Sequence, residues 1–288
     1  MQMADSPRQP PFRRLGPLRP ASPVVLSVPH AGRAYSESLL AAARLPRRQL
    51  ETLEDRLVDR LVWRAVADGA TAIIADAPRA EIDLNRDERE LDPALVVPRP
   101  REAGWFQSAR TRGGLGLVPD RIAGAGPIWR QRLSAAELTR RVETIHRPYH
   151  QAVAEALAAA RRRFGVAILL DCHSMPPRNG GEAAIVLGDR HGASIASELS
   201  GAAERIVREA GFAVARNAPY AGGHITDRHG RPDQGVHALQ VEIDRAAYLG
   251  PDLRTPGAGF DAVSRLIAAI AAALARQALE PPQALAAE

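Results

Sequence analysis

The 288-residue chain contains no lysine: all 38 of its basic residues are arginine. Schiff-base chemistry and phosphate loops built on a lysine are therefore excluded. With alanine so frequent, the bias reads as that of a GC-rich genome. The high isoelectric point then follows from the arginine side chain, which stays charged throughout the accessible range. Aromatic residues make up only 4%. Basic residues are scattered rather than clustered, so nucleic acid is not an expected partner. A single cysteine, Cys172, excludes an intramolecular disulfide and fits a reducing cytoplasm. No apolar run of the ~18 residues expected of a membrane span stands out, and the Arg/Pro-rich start lacks the apolar centre of a secretory signal.

What is present is patterning. Residues 1–22 read as a loose Pro/Arg-rich arm, residues 23–280 as one catalytic domain, and residues 281–288 as a tail. "PVVLSVPH" reads as a buried strand ending at His30. The spacing of Leu50, Leu53, Leu57, Leu61 and Val62 predicts a continuous amphipathic helix closed by Gly69. "TAIIADA" and "AEIDLNR" read as further extended pieces. Residues 87–130 lack a period, and so long a loop is expected to be functional or a lid. Ser134 and Glu137 open a long helix that Pro148 should kink. "VAILLDC", "EAAIVLGD", "FAVARNA" and "VHALQVEIDRAAYL" follow as strands, separated and closed by amphipathic helices. Strands alternating with helices predict an α/β sheet covered on both faces.

In such sheets, sites collect at the carboxyl ends of strands. His30, the Asp83–Arg86 run, His173 and Glu242 all fall there. Cys172 and His173 are neighbours on one strand and so point to opposite faces, which argues against a Cys–His nucleophilic pair and makes Cys172 a packing residue. Ser174 lacks the Gly-x-Ser-x-Gly elbow of a hydrolase serine. Two imidazoles and a carboxylate suit a catalytic zinc with one open position. His30 and His173 supply the nitrogens. Asp55 and Asp59, four apart, would share a helix face, and spacing alone does not choose between them. Glu242 lies mid-strand with Gln240 and Asp244 on its face, where burying a carboxylate is costly without a purpose. It has the place of a general base beside a metal-bound water. Asn85 and Arg86 offer a carboxylate clamp, with Asp83 one strand step away to orient a ligand.

The ordered set "SVPHAG", "EDRLVDRL", "RAEIDLNR", "HRPYH", "DCHS", "AGGHIT" and "VHALQVEIDRAAYL" resembles the N-formylglutamate amidohydrolase family. The resemblance implies a single three-layer α/β/α domain with a central mixed sheet, similar to zinc carboxypeptidases (phosphorylase/hydrolase-like) and succinylglutamate desuccinylase-like deacylases. It implies one zinc ion held by His30, Asp55 and His173, with Asp55 favoured over Asp59. The family's Thr-Asp-Trp-His pattern is replaced here by Glu54, Asp55, Arg56 and Leu57. Glu242 would take a proton from the attacking water and deliver it to the leaving nitrogen. Arg79 would stabilise the oxyanion or a second carboxylate. Asn85 and Arg86 would hold a substrate carboxylate, and Gly222, Gly223 and His224 would approach the substrate. The implied reaction releases formate and L-glutamate from N-formyl-L-glutamate, a step of histidine degradation. The same residues could also serve a zinc deacylase of another N-acyl amino acid or small peptide, or a metal- or carboxylate-binding protein without turnover.

Overall fold

The computed structural model describes residues 10–99, 104–178 and 182–280. The tail expected at residues 281–288 lies outside them. By its contacts the chain divides into two compact units. One comprises Met1–Arg13, His30–Glu54 and Ile74–Ala152; the other comprises Arg14–Pro29, Asp55–Ile73 and Val153–Glu288.

The main sheet is mixed and has seven strands. Its strands are β1 (Phe12–Leu15), β2 (Val24–Val28), β3 (Thr71–Ala75), β4 (Ala167–Met175), β5 (Ile185–Gly188), β6 (Val214–Arg216) and β7 (Val236–Asp244), in the order β1-β3-β2-β4-β7-β5-β6. β2 and β7 flank β4 in parallel, while β7 meets β5 antiparallel. The central strands are buried throughout, which is why they read as near-continuous apolar runs rather than as an alternation. The α/β class expected from the sequence is thus the one observed.

Helices α3 (Ser197–Glu209) and α5 (Phe260–Leu279) pack on each other, and α5 also packs on the short helix Trp63–Ala67. The composition of α5 stands out. Its length and a mean hydropathy of 1.4 pass the test for a membrane-crossing helix by composition. Its apolar face, with Val263, Leu266, Ile267, Ile270 and Leu274, is buried within the unit, and Ser264 Oγ donates to the Leu61 carbonyl at 2.9 Å.

Three further differences matter. Residues 11–15 of the expected loose arm are fixed: the Asp76 N–H donates to the Pro11 carbonyl, Arg13 pairs with Asp76 at 2.7 Å, and Phe12 stands edge-on to Tyr149. "AEIDLNR" forms turns rather than a strand. The helix expected through Leu50–Val62 is broken. Arg47–Leu50 passes into a 3₁₀ turn, Glu54 is extended, and Leu57 takes the left-handed conformation (φ 62°) before helix resumes at Val58–Leu61. A leucine there is costly. Apolar spacing persists through the break, so periodicity alone could not reveal it.

In the first unit, α1 (Ala135–Arg141) is capped by Ser134 Oγ, which accepts the Glu137 N–H. The expected kink at Pro148 takes a specific form. Val142–His146 is a π turn, and α2 (Arg147–Phe164) follows it. Pro148 lacks an N–H and crowds the carbonyl four residues back, and widening the preceding turn relieves both defects. α1 is pinned electrostatically. Glu137 receives bonds from Arg140 and Arg141, and Arg140 first, then Arg141, pulls its carboxyl from 4.5 down to about 2 against the opposing effect of burial. A depressed pKa adds stability that is present above pH ~4.5 and is lost as pH falls through about 2. Glu137→Gln should therefore cost about 1 kcal/mol at pH 7 after allowance for solvent screening. The deficit should vanish near pH 2, as urea unfolding at the two pH values would show.

Candidate active site

Asp55 sits in the helix break, fully buried, not on a helix face with Asp59 as spacing had suggested. Asp59 begins the next helical turn. The break lets both Asp55 oxygens be used. Oδ2 lies 3.1 Å from His173 Nδ1, while Oδ1 accepts from Ser174 Oγ at 3.1 Å and from Arg245 at 3.4 Å. Arg245 Nε in turn donates to Ser174 Oγ.

His173 leaves the carboxyl-terminal half of β4 and is buried. Its other nitrogen, Nε2, lies 2.8 Å from Asp171 Oδ2. Asp171 is two residues earlier on the same strand and so shares its face. Ser27 Oγ on β2 donates to Asp171 Oδ1 at 2.9 Å. Burial acts to lower the His173 pKa, but Asp171, Asp55 and Glu242 outweigh it and hold the imidazole well above its ordinary value. Glu242 on β7 stands in register with His173, and Gln240 with Asp171. Gln240 Nε2 donates to Glu242 Oε1 at 2.9 Å, which orients a carboxylate that is almost wholly buried.

The first unit holds a matching arrangement around His30. Its Nε2 lies 2.7 Å from Asp83 Oδ1. Asp83 is fully buried and also accepts from Arg79 Nε at 3.0 Å and from the Asn85 N–H at 2.9 Å. Burial alone would raise its carboxyl pKa. Arg79, Arg86 and His30 overcome that and hold it well below the usual range. Asp83 was expected to orient a ligand; in the structure its oxygens grip His30 and Arg79. Arg86 is buried, with Nε donating to the Leu115 carbonyl and Nη1 to that of Asn85. Those bonds use two of its five donors. Burial is the main effect lowering its pKa, opposed by Asp83. Arg79 is the more open of the two arginines.

The Gly222-Gly223-His224 stretch belongs to the second unit. Gly222 has φ 116°, and a Cβ there would lie 2.7 Å from Thr226 Oγ1. Gly223 N–H donates to Thr226 Oγ1, and half-buried His224 opens the short helix α4 (His224–His229).

Sequence reasoning assigns no supporting role to Asp171, Ser27, Gln240, Ser174 or Arg245. The available signal was the two-residue step: Asp171–His173 and Gln240–Glu242 each put two polar groups on one face of a buried strand. For Ser27 and Arg245 no local signal existed.

Cys172 lies on β4 between Asp171 and His173 and is fully buried. Burial first, then the Asp171 charge, pushes its thiol far up, so the thiolate a nucleophile needs is suppressed. Cys172→Ala should leave kcat/KM within about twofold, at about 1 kcal/mol of stability from the lost apolar burial. A dead variant would restore the nucleophile reading.

Comparison with known proteins adds the following. The sequence model of the N-formylglutamate amidohydrolase family matches residues 22–249. An N-formylglutamate deformylase of Pseudomonas aeruginosa is 31% identical over 79% of this chain and 82% of its own length, and one from Pseudomonas putida is 31% identical with the same coverage. The crystal structure of an N-formylglutamate amidohydrolase from Ralstonia eutropha JMP134 is similar over 92% of this chain and 97% of that one, with 34% identity and a TM-score of 0.85. A gene product of Agrobacterium tumefaciens, 18% identical over 92% of this chain and 95% of its own, shares the fold with a TM-score of 0.62.

Proposed function

The chain belongs to the N-formylglutamate amidohydrolase family, and from that premise we propose that it hydrolyses N-formyl-L-glutamate to formate and L-glutamate with the aid of one zinc ion. The observation that carries the reading is the register pairing of buried Glu242 with His173, whose far nitrogen is already held by Asp171. The family match covers residues 22–249, most of the span 23–280 that is taken as one catalytic domain. A reducing cytoplasm suits its lone cysteine.

His30, Asp55 and His173 are the proposed metal ligands. The donor chemistry fits. Each imidazole has one ring nitrogen fixed by a buried carboxylate, Asp83 for His30 and Asp171 for His173. Metal-binding histidines are commonly oriented in this way, with the opposite nitrogen turned to the ion. Asp55 has one oxygen held by Ser174 and Arg245, and it offers the other beside His173. A zinc ion bound by such a set lowers the pKa of water toward ~7 and polarises a carbonyl.

The remaining steps belong to the chain. Glu242 Oε accepts the proton of the attacking water and returns it to the amide nitrogen as formate departs. Gln240 holds that carboxylate at the required angle. Arg86 and Asn85 bind the substrate side-chain carboxylate, for which Arg86 has further N–H donors. Arg79, anchored by Asp83 and more open, stabilises the oxyanion or binds the second carboxylate. Gly222, Gly223 and His224 approach the substrate. Asp83 thus has a positioning role for His30 and Arg79.

The deciding measurement pairs metal content with formate release from N-formyl-L-glutamate. Active protein free of metal would overturn the zinc assignment. Turnover of N-acetyl or N-succinyl amino acids in place of N-formyl-L-glutamate would move the substrate to another deacylase class. Bound zinc with no turnover of any acyl amino acid would leave a binding protein.

A further inference from the structure

The motif His146-Arg147-Pro148-Tyr149-His150 has no part in the chemistry above, yet both its histidines are buried in the first unit. Each spends its Nε2 on a backbone carbonyl. His146 Nε2 lies 2.9 Å from the Arg86 oxygen and His150 Nε2 lies 3.0 Å from the Leu84 oxygen. The rings pack with centroids 4.4 Å apart. A carbonyl accepts only, so both nitrogens carry hydrogen and donate.

The need for such donors is plain from the acceptor side. Residues 81–86 form turns, so the Leu84 and Arg86 carbonyls are not committed to a strand ladder. Buried carbonyls need donors. The same helical segment supplies donors at the other end of the run, where Arg141 donates to the Glu81 carbonyl at 2.8 Å and Arg140 reaches the Glu81 carboxylate at 2.9 Å.

Helix geometry explains how one segment reaches both ends. Five α-helical residues advance about 500°, so Arg141 and His146 would point about 140° apart on a regular helix. The π turn Val142–His146 intervenes between them, and its wider i to i+5 winding brings the two toward one face. His150, four residues beyond His146, then falls on the same face. The turn that accommodates Pro148 thus also aims the clamp.

We propose that His146 and His150 are positioning residues for substrate binding: by holding the Arg86 and Leu84 carbonyls they fix Asn85 and Arg86 where the substrate side-chain carboxylate is bound. This rests on the substrate reading above. Leu84, Asn85 and Arg86 are consecutive, so fixing the two outer carbonyls leaves the Asn85 peptide and the root of the Arg86 side chain little freedom. An error of ~1 Å in such a group is enough to lose a bidentate carboxylate contact.

The test uses the zinc-loaded full chain and the variants His146→Phe, His150→Phe, His146→Gln and His150→Gln. Phenylalanine fills the ring volume without a donor, and glutamine restores an N–H at similar reach. For N-formyl-L-glutamate, each Phe variant should raise KM about tenfold with kcat within about threefold. The Gln variants should recover most of that loss. With N-formyl-L-glutamine, which lacks the side-chain charge, the Phe variants should match the wild type. Equal losses on both substrates, or an unchanged KM for N-formyl-L-glutamate, would overturn the proposal. Hydrogen exchange supplies the readout independent of turnover: amides of residues 83–88 should exchange at least tenfold faster in the Phe variants, and unaltered exchange would refute the clamp. Wild-type protein inert toward N-formyl-L-glutamate would refute the substrate reading instead, and the exchange rates would still decide whether the clamp exists.

Discussion

Glu242→Gln should lower kcat by about 10³-fold, within the range assigned to a positioned proton acceptor, while the zinc proposed at His30, Asp55 and His173 stays bound. Glutamine has the same shape and can still accept the Gln240 hydrogen bond that the carboxylate accepts in the structure. What it cannot do is take a proton from water. Glu242 is buried, and replacing a buried carboxylate by a neutral isostere removes a desolvation cost rather than adding one. The variant should therefore fold, with a melting temperature no lower than that of the parent. The zinc-to-protein ratio and single-turnover formate release, measured on one preparation, separate the two roles a glutamate could have here. A variant that loses zinc along with activity would make Glu242 a ligand. One that keeps zinc and full activity would pass the proton to another group.

That Glu242 could be singled out from sequence has a local cause. On a nine-residue strand whose last seven residues are buried, Gln240, Glu242 and Asp244 interrupt an apolar run at every second position. No surface requirement explains them there. His173 is legible for the same reason, as is the parallel core that carries both strands. Asp55 is different. Its neighbours Leu53 and Leu57 keep helical spacing, yet the backbone leaves the helix at Glu54 and recovers only past Leu57 at φ 62°. That departure is what turns Asp55 toward His173, and nothing in a hydrophobic period records it. The supports of the histidines were hidden by distance along the chain. Ser27 reaches Asp171 across 144 residues, and Arg245 reaches Asp55 across 190. Such pairs follow from strand order, which a single sequence does not encode in any local pattern. The π turn belongs to the same class: Pro148 announces an irregularity, but not whether the helix bends, stops or widens.

Stripping the metal with a chelator should reduce formate release to below about 1% of the loaded rate, since the attacking water would return toward its bulk pKa of about 15.7. The fold should survive. Asp171 and Asp55 flank His173 on both ring nitrogens, and they hold that imidazole well above its ordinary pKa. In the metal-free protein the ring stays hydrogen-bonded to both buried carboxylates. A site lined by unpaired acids would repel itself open; here Ser27 also holds Asp171, and Ser174 and Arg245 hold Asp55. The cost of metal loss is then the linkage term alone, about 4 kcal/mol at a thousandfold excess of metal over its dissociation constant. For a chain of this size that corresponds to about 10 °C in melting temperature. Circular dichroism of the stripped protein should be unchanged at 25 °C, and one equivalent of zinc should restore both the activity and the melting temperature. Full activity after stripping would remove the metal from the reaction. Irreversible unfolding would show that these hydrogen bonds do not hold the two carboxylates together.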